Sequence, residues 1–255
     1  MSPNVLTLKR PTNLLLSSLV PEDYAKLAPH LQTVKLDSGT ILGGDAECRF
    51  AYFPITCVVS LICEMEDGAT AEVALTGNEG VLGTSLFPGG HTATNRAIVG
   101  IAGEAQRMNA QILRGQFMRC EAFQRVLLKY TDALISQISN TAACNRRHTL
   151  EKRLCRWLLL LHDRASSNEF VMTQEFIANM LGGRRETVTV AAGHLQDAGL
   201  IHYTRGRLRI VDRQGLENYV CECYRNVRSE HVRPMPQPVE VRQGLAKTRT
   251  NSALS

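Results

Sequence analysis

Short apolar segments separated by turn residues fill the chain from residue 34 to residue 108. The run Val-Val-Ser-Leu-Ile-Cys at 58–63 is typical of a buried strand. The Asp67-Gly68 pair that follows predicts a hairpin turn before the alternating segment 70–76. Several glycines then mark a turn-rich stretch before another apolar segment at 96–101. Short strands at this spacing predict a β-roll (a double-stranded β-helix or jelly roll) over residues 12–115.

The pattern changes to a helical period from Phe117 to Asn145, where the chain has no glycine or proline. Six positions recur at gaps of 4, 3, 4, 4 and 3 residues, which is close to a heptad seam. Two interpretations are open: a helix packed on its own β-roll, or a dimerisation helix paired with a second copy. The second interpretation predicts a dimerisation helix over 116–146, with its interface at Phe123, Leu127, Tyr130, Leu134, Ile138 and Thr141.

The segment after residue 147 has the parts of a winged helix-turn-helix. Thr173 is a predicted N-cap, and Gly182-Gly183 predicts a sharp turn before a second helix that ends near Gly199. Two short strands around Arg205-Gly206 predict a β-hairpin wing. Residues 147–225 are therefore expected to form a DNA-binding domain, and the fold class is α+β.

The charge distribution supports an anionic partner for this second half. Arg184 and Arg185 oppose the helix macrodipole at the start of the second helix, whereas Glu186 fits it. Residues 146–233 hold 15 Lys and Arg against 10 Asp and Glu, whereas residues 1–145 hold 11 against 13. A basic second half behind a mildly acidic first half predicts that nucleic acid binds only the second domain.

The order of β-roll, long helix and winged helix-turn-helix resembles bacterial transcription regulators of the cyclic-AMP receptor protein / fumarate-nitrate regulator (Crp/Fnr) family. The most specific stretch is Thr-Gln-Glu-Phe-Ile-Ala-Asn-Met-Leu-Gly-Gly-Arg-Arg-Glu-Thr-Val-Thr at 173–189. The resemblance implies a homodimer whose recognition helix enters the major groove of a pseudo-palindromic double-stranded DNA site. RNA polymerase is a candidate protein partner.

The resemblance also implies roles for individual residues. Arg185 would read guanine, Glu186 would read cytosine and Thr187 would lie near the DNA backbone, while Val190 stands where the family usually carries a second arginine. The wing arginines are expected to contact phosphates. The DNA-binding residues predicted in this way are Thr173, Arg184, Arg185, Glu186, Thr187, Thr189, Arg205 and Arg207.

The predicted effector pocket departs from the family pattern. Cyclic-nucleotide-binding members use a glutamate for the ribose and an Arg-Ser pair for the cyclic phosphate. The resemblance places these on Gly83 and Ala93-Thr94, so weak or no cyclic-nucleotide binding is expected. The candidate pocket residues are Gly80, Gly83, Thr94 and Arg96. A thiol-responsive regulator and a cyclic-nucleotide-responsive regulator of the same fold remain the alternatives.

Composition narrows the function by exclusion. The chain is 44% apolar and 21% charged, which suits a globular protein. No apolar run is long enough to span a bilayer, so no membrane partner is expected. Eight cysteines without a CxxC pair and seven histidines without an HExxH motif predict reduced thiols in the cytoplasm. No metal site, no cofactor and no enzymatic activity are predicted. The proline-containing, Ser/Thr/Arg-rich residues 232–255 are expected to be disordered.

Overall fold

The computed structural model describes residues 13–43, 49–87, 96–165 and 167–232. These residues form an α+β structure in which two β-sheets precede a pair of helices and a C-terminal helical domain. Two short helices, α1 (Leu14–Ser17) and α2 (Pro21–Leu27), come before the sheets. The fold class is the one predicted.

The β-roll consists of two antiparallel sheets, ordered β1-β7-β3 and β2-β6-β4-β5. The hairpin predicted at Asp67-Gly68 is confirmed, because the strands on either side of it pair and Gly68 has φ 81°. Apolar side chains such as Phe53, Val59 and Val99 are fully buried. The strands are β1 (Gln32–Leu36), β2 (Ile41–Leu42), β3 (Phe50–Pro54), β4 (Val58–Glu64), β5 (Thr70–Thr76), β6 (Arg96–Ile101) and β7 (Gly103–Asn109).

Two helices replace the single helix predicted over 116–146. Helix α3 (Ala110–Arg119) is separated from α4 (Glu121–Arg147) by Cys120, whose backbone is extended at φ −113° and ψ 99°. The predicted start was therefore wrong. The absence of glycine and proline does not prevent one residue from leaving the helical conformation.

The dimer interface predicted on α4 was also wrong for most of its residues. Phe123, Leu127, Tyr130, Leu134 and Thr141 are buried inside their own chain. The Phe123 ring lies 6.5 Å from that of Phe53, and the Tyr130 hydroxyl lies 3.0 Å from the Thr76 hydroxyl of β5. The interpretation of a helix packed on its own β-roll is correct for this face. Of the six predicted residues, Ile138 alone is partly exposed.

The C-terminal domain surrounds α5 (Leu150–Arg164), whose residues from Leu154 to Leu161 are all buried. It continues through β8 (Glu169–Val171), α6 (Gln174–Leu181), α7 (Arg185–Asp197), β9 (Ile201–Thr204), β10 (Arg207–Ile210) and α8 (Arg213–Tyr219). A last helix, α9 (Glu222–Val232), packs against α4 and extends the domain past the predicted boundary at 225.

The tail predicted at 232–255 lies outside the described residues, apart from Val232 at the end of α9. None of the helices in the described ranges combines the length and the apolar character needed to cross a membrane.

Candidate nucleic-acid interface

Helices α6 and α7 form the predicted helix-turn-helix. The Thr173 hydroxyl caps α6 by accepting a hydrogen bond from the backbone N–H of Phe176 at 3.1 Å. Helix α6 ends at Gly182, which adopts the left-handed conformation at φ 58° and ψ 45°. A residue with a Cβ would be strained there, so the glycine fixes the angle at which the chain enters α7.

Helix α7 is held in the domain by its apolar side. Val188, Ala191, Ala192 and Leu195 are buried, as predicted, and the helix packs on α5. His194 Nδ1 lies 3.1 Å from Glu151 Oε2 on α5. The opposite side of α7 is thereby directed away from the domain core.

The exposed side of α7 carries the predicted recognition residues. Arg184 is the N-cap, and Arg185, Glu186 and Thr187 occupy the first turn, all exposed to solvent. The salt bridges found among the described residues include neither arginine. Two exposed cations at a helix N-terminus attract an anionic ligand, because the macrodipole and the unsatisfied N–H groups act in the same direction.

Thr189 has a different environment from the other predicted contacts. Its hydroxyl lies 2.8 Å from Gln174 Oε1 and 3.0 Å from the Arg185 carbonyl oxygen. The contact with Gln174 ties α7 to the start of α6, whereas the contact with Arg185 lies within α7. Thr189 and Thr173 thus contribute to the geometry of the turn as well as to the exposed surface.

The wing is a hairpin of β9 and β10, to which β8 adds a third strand. Arg205 has φ 47° and Gly206 has φ 77°, the conformations of a tight two-residue hairpin turn. Arg205 and Arg207 are exposed. Tyr203 links the wing to α7, because its backbone N–H donates to Gln196 Oε1 at 2.7 Å. Burial raises the pKa of Tyr203, and the nearby Arg185 guanidinium opposes that rise.

Comparisons with known proteins agree with this geometry. Residues 152–219 match the family model described as "Crp-like helix-turn-helix domain". That segment is a Crp-like helix-turn-helix domain. No curated protein sequence matches the chain significantly.

Solved structures show that the fold outside the Crp-like domain is shared as well. FixK2 from Bradyrhizobium japonicum is similar at a TM-score of 0.64 and 19% identity, covering 75% of this chain and 98% of its own. TTHA1359, a Crp/Fnr-family transcriptional regulator from Thermus thermophilus, has a TM-score of 0.58 and 18% identity, and the match covers 73% of this chain and 97% of TTHA1359. The c-di-GMP-responsive regulator CLP from Xanthomonas campestris has a TM-score of 0.60 and 16% identity, and the match covers 76% of this chain and 100% of CLP. The chain therefore has the Crp/Fnr fold.

The predicted effector residues that the structure describes do not converge. A Cβ on Gly80 would lie 2.3 Å from Tyr130 Cε2, so this glycine is covered by α4. Arg96 is on the surface in an ion pair with Glu64, and Thr94 lies outside the described residues. Gly83, with φ 94°, lines a cavity of about 210 Å³ between the β-roll and α4. No charged side chain is present among the described residues that line this cavity.

Two further residues of the Crp-like domain are exposed to solvent, in addition to the predicted DNA-binding residues. Arg209 is exposed on β10 beside Arg207, because Leu208 and Ile210 between and after them point inward. The alternation of charged and apolar residues in Arg-Leu-Arg-Ile at 207–210 is the sequence signal for the exposure of Arg209. Val190 is 56% exposed on α7, where an apolar side chain has no packing role.

A group that sequence analysis leaves unassigned also comes together just before and after the Crp-like domain. Cys144, His148, Cys221 and Cys223 place their ligand atoms within 4.8 Å of one another. The spacings Cys-x₃-His and Cys-x-Cys were the available signals, but 72 residues separate the two pairs in sequence.

Proposed function

We propose that this protein is a sequence-specific DNA-binding transcription regulator of the Crp/Fnr family. It acts in the cytoplasm as a homodimer and is not an enzyme. Helix α7 enters the major groove, the wing lies along the phosphate backbone, and a signal acting through the β-roll sets the activity. RNA polymerase is the candidate protein partner at the promoter.

The observation that carries the proposal is the exposed first turn of α7. Arg184 and Arg185 are cations at a helix N-terminus in the segment that matches a Crp-like helix-turn-helix model. A bidentate arginine contact suits guanine O6 and N7, and a carboxylate such as Glu186 accepts from cytosine N4. The exposed Val190 offers an apolar contact to a thymine methyl group.

The dimer is proposed to form through a different face of α4 from the one predicted. Leu128 and Ile135 are 52% and 57% exposed, although both are large and apolar. The positions on this side follow gaps of 3, 4, 3 and 4 residues, which is the heptad spacing of a two-helix seam. The proposed seam consists of Leu128, Thr131, Ile135, Ile138 and Ala142.

A dimer with two recognition helices would bind a pseudo-palindrome. Its half-site centres would lie about 34–36 Å apart, one turn of B-DNA. Each half-site would then meet an identical protein surface.

Selection from random double-stranded DNA tests the proposal with the purified full chain. The wild type should enrich a pseudo-palindrome. Arg185→Ala should relax the preference at one guanine per half-site and weaken binding by about 1–3 kcal/mol, because a bidentate base contact is lost. Arg205→Ala should keep the enriched motif, weaken all sequences alike and lower the salt slope by about one unit, as expected for a phosphate contact.

Arg119→Ala is the matched control, because Arg119 is an exposed arginine at the end of α3 in the other half of the chain. It should change neither the motif nor the affinity. Occupancy mapping on the chromosome in growing cells supplies any effector that the purified chain lacks. If neither method finds a motif for the wild type, the proposed function is wrong; an unchanged motif for Arg185→Ala would show that Arg185 reads no base.

A further inference from the structure

Three cysteines and one histidine meet where the long helix α4 ends and α9 begins. Cys144 is in the last turn of α4 and His148 is its C-cap. Cys221 directly precedes α9, and Cys223 is in its first turn. Because residues 148 and 149 join α4 to α5, this cluster lies at the junction between the β-roll half and the DNA-binding half of the chain.

Two distances inside the cluster match those of a tetrahedral metal site, and all four ligand atoms lie within 4.8 Å of one another. Cys144 Sγ lies 3.7 Å from Cys221 Sγ, and Cys223 Sγ lies 3.7 Å from His148 Nδ1. Zinc–sulfur bonds of about 2.3 Å and zinc–nitrogen bonds of about 2.0–2.1 Å give tetrahedral separations of about 3.8 Å for S···S and about 3.5 Å for S···N. These two pairs are therefore already at the spacing that one bound ion requires, and the other pairs lie close enough to move to it.

The second nitrogen of the histidine also has the environment of a metal ligand. His148 Nε2 lies 3.5 Å from Glu222 Oε2, while Nδ1 points to the cysteines. A ligand histidine usually has a carboxylate or carbonyl at its other nitrogen, which fixes the tautomer and the ring orientation. Glu222 lies between the two cysteines in sequence, so the same turn supplies two ligands and this carboxylate.

Burial and charge are compatible with a bound cation. The three cysteines are buried, and the His148 side chain is 22% exposed, which leaves an approach from solvent on one side. Three thiolates and a neutral imidazole around a divalent ion carry one net negative charge.

We propose that Cys144, His148, Cys221 and Cys223 bind one Zn²⁺ ion, which joins the end of α4 to the start of α9. Three soft thiolates with one imidazole form a closed Cys₃His set of the kind found in structural zinc sites. The ion would fix the orientation of α9, and with it the DNA-binding domain, relative to the long helix. This inference stands apart from the proposed function, because it requires neither DNA nor an effector.

Metal analysis of the full chain, purified without a histidine tag, tests the proposal. We expect about one zinc per chain by mass spectrometry of the metal, as a closed four-ligand site requires. Replacing the zinc by Co²⁺ should give the intense visible bands of tetrahedral cobalt and a thiolate-to-cobalt charge-transfer band in the near ultraviolet. Removal of zinc by a chelator should lower the midpoint of thermal unfolding, and added zinc should restore it.

Variants locate the ion. Cys221→Ser and Cys223→Ser should each reduce the zinc content well below one per chain and weaken the cobalt charge-transfer band. Cys155→Ser is the matched control, because Cys155 is equally buried but donates its thiol to the Leu216 carbonyl oxygen at 3.3 Å, outside the cluster. It should retain the full zinc content.

The cobalt spectrum of the wild-type protein can test the proposal without any variant, so the test does not depend on whether a variant folds. A chain that binds no zinc or cobalt when fully reduced would overturn the proposal and leave three buried thiols and a partly exposed imidazole without a metal-binding role. Three other results would overturn it as well. These are iron or copper instead of zinc in the purified protein, octahedral cobalt bands without a charge-transfer band, and a Cys144–Cys221 disulfide in protein purified under reducing conditions.

Discussion

At the scale of single residues, Glu72 has the environment with the clearest measurable consequence. Its carboxyl group is buried between β5 and α5, where Trp157 Nε1 donates a hydrogen bond to Oε2 at 3.0 Å. Burial raises the pKa of Glu72 to about 7, against opposing effects from the hydrogen bonds of Ser60 and Trp157 and from two arginines. The contact joins the β-roll to the DNA-binding domain, so its protonation affects the stability of both.

We therefore expect stability to decrease as the pH rises from 5 to 8. Between the ordinary pKa of 4.5 and the folded pKa of about 7, the folded protein retains a proton that the unfolded chain releases, so the free energy of unfolding falls across this window. The decrease should reach at most about 3 kcal/mol, and Glu72→Gln should remove it. Urea unfolding followed by the fluorescence of Trp157, the single tryptophan, measures both.

Glu66→Gln, at an exposed position on the β4–β5 turn, is the control and should leave the pH dependence unchanged. Equal pH dependence in wild type and Glu72→Gln would contradict the assignment of this titration to Glu72.

At the scale of elements, α4 has two apolar faces that serve different contacts. One face, which includes Phe123, Leu127 and Leu134, is buried on the β-roll. The other, with Leu128 and Ile135, is exposed within a single chain and is the proposed dimer seam. A charged substitution should therefore disturb the packing on the β-roll at Leu134 but the proposed dimer seam at Ile135, although the two residues are adjacent.

Ile135→Asp should give a folded monomer, because an aspartate in the seam would be buried without a partner, at a cost of several kcal/mol. Sedimentation velocity at micromolar concentration measures the change, and circular dichroism checks the fold. Met118→Asp, at an exposed apolar position on α3, should remain dimeric. A wild type that is monomeric at this concentration, or an Ile135→Asp variant that is still a dimer, would rule out this seam.

At the scale of the whole molecule, the cavity between the β-roll and α4 lies beside the proposed seam. Its lining includes Gly83, Tyr52 and Leu82 from the β-roll and Thr131, Ile135 and Ile138 from α4. The last three residues also belong to the proposed seam, so a molecule bound there would contact the helix that carries it. At about 210 Å³ the cavity is smaller than the usual range of about 300–1,000 Å³ for small-molecule sites.

Cyclic AMP and cyclic GMP should bind weakly or not at all. The described lining offers no cation for the cyclic phosphate, and Gly83 offers no acceptor for the ribose hydroxyl. Isothermal titration calorimetry with the full chain is the direct measurement. A dissociation constant at or below about 10 μM, near −7 kcal/mol, would contradict this prediction for the nucleotide that gives it.

The sequence by itself determined the features that depend on local conformation. Gly182 ends α6, Gly206 lies in the turn of the wing, and Gly68 lies in the turn between β4 and β5, because each of these glycines readily adopts the positive φ that its turn requires. The exposed arginines at the start of α7 were likewise predictable, since the inward positions Val188, Ala191 and Leu195 fix the outward side of the same helix.

Only the tertiary structure decided which surfaces meet. The apolar period of α4 fits two faces that begin one residue apart, and packing on the β-roll uses the face that contains Leu127 and Leu134. Cys144 and Cys221 are 77 residues apart in sequence, so their 3.7 Å separation depends on α9 folding back against α4. Sequence patterns report the conformation of each segment, whereas contacts between distant segments follow from how their faces pack together.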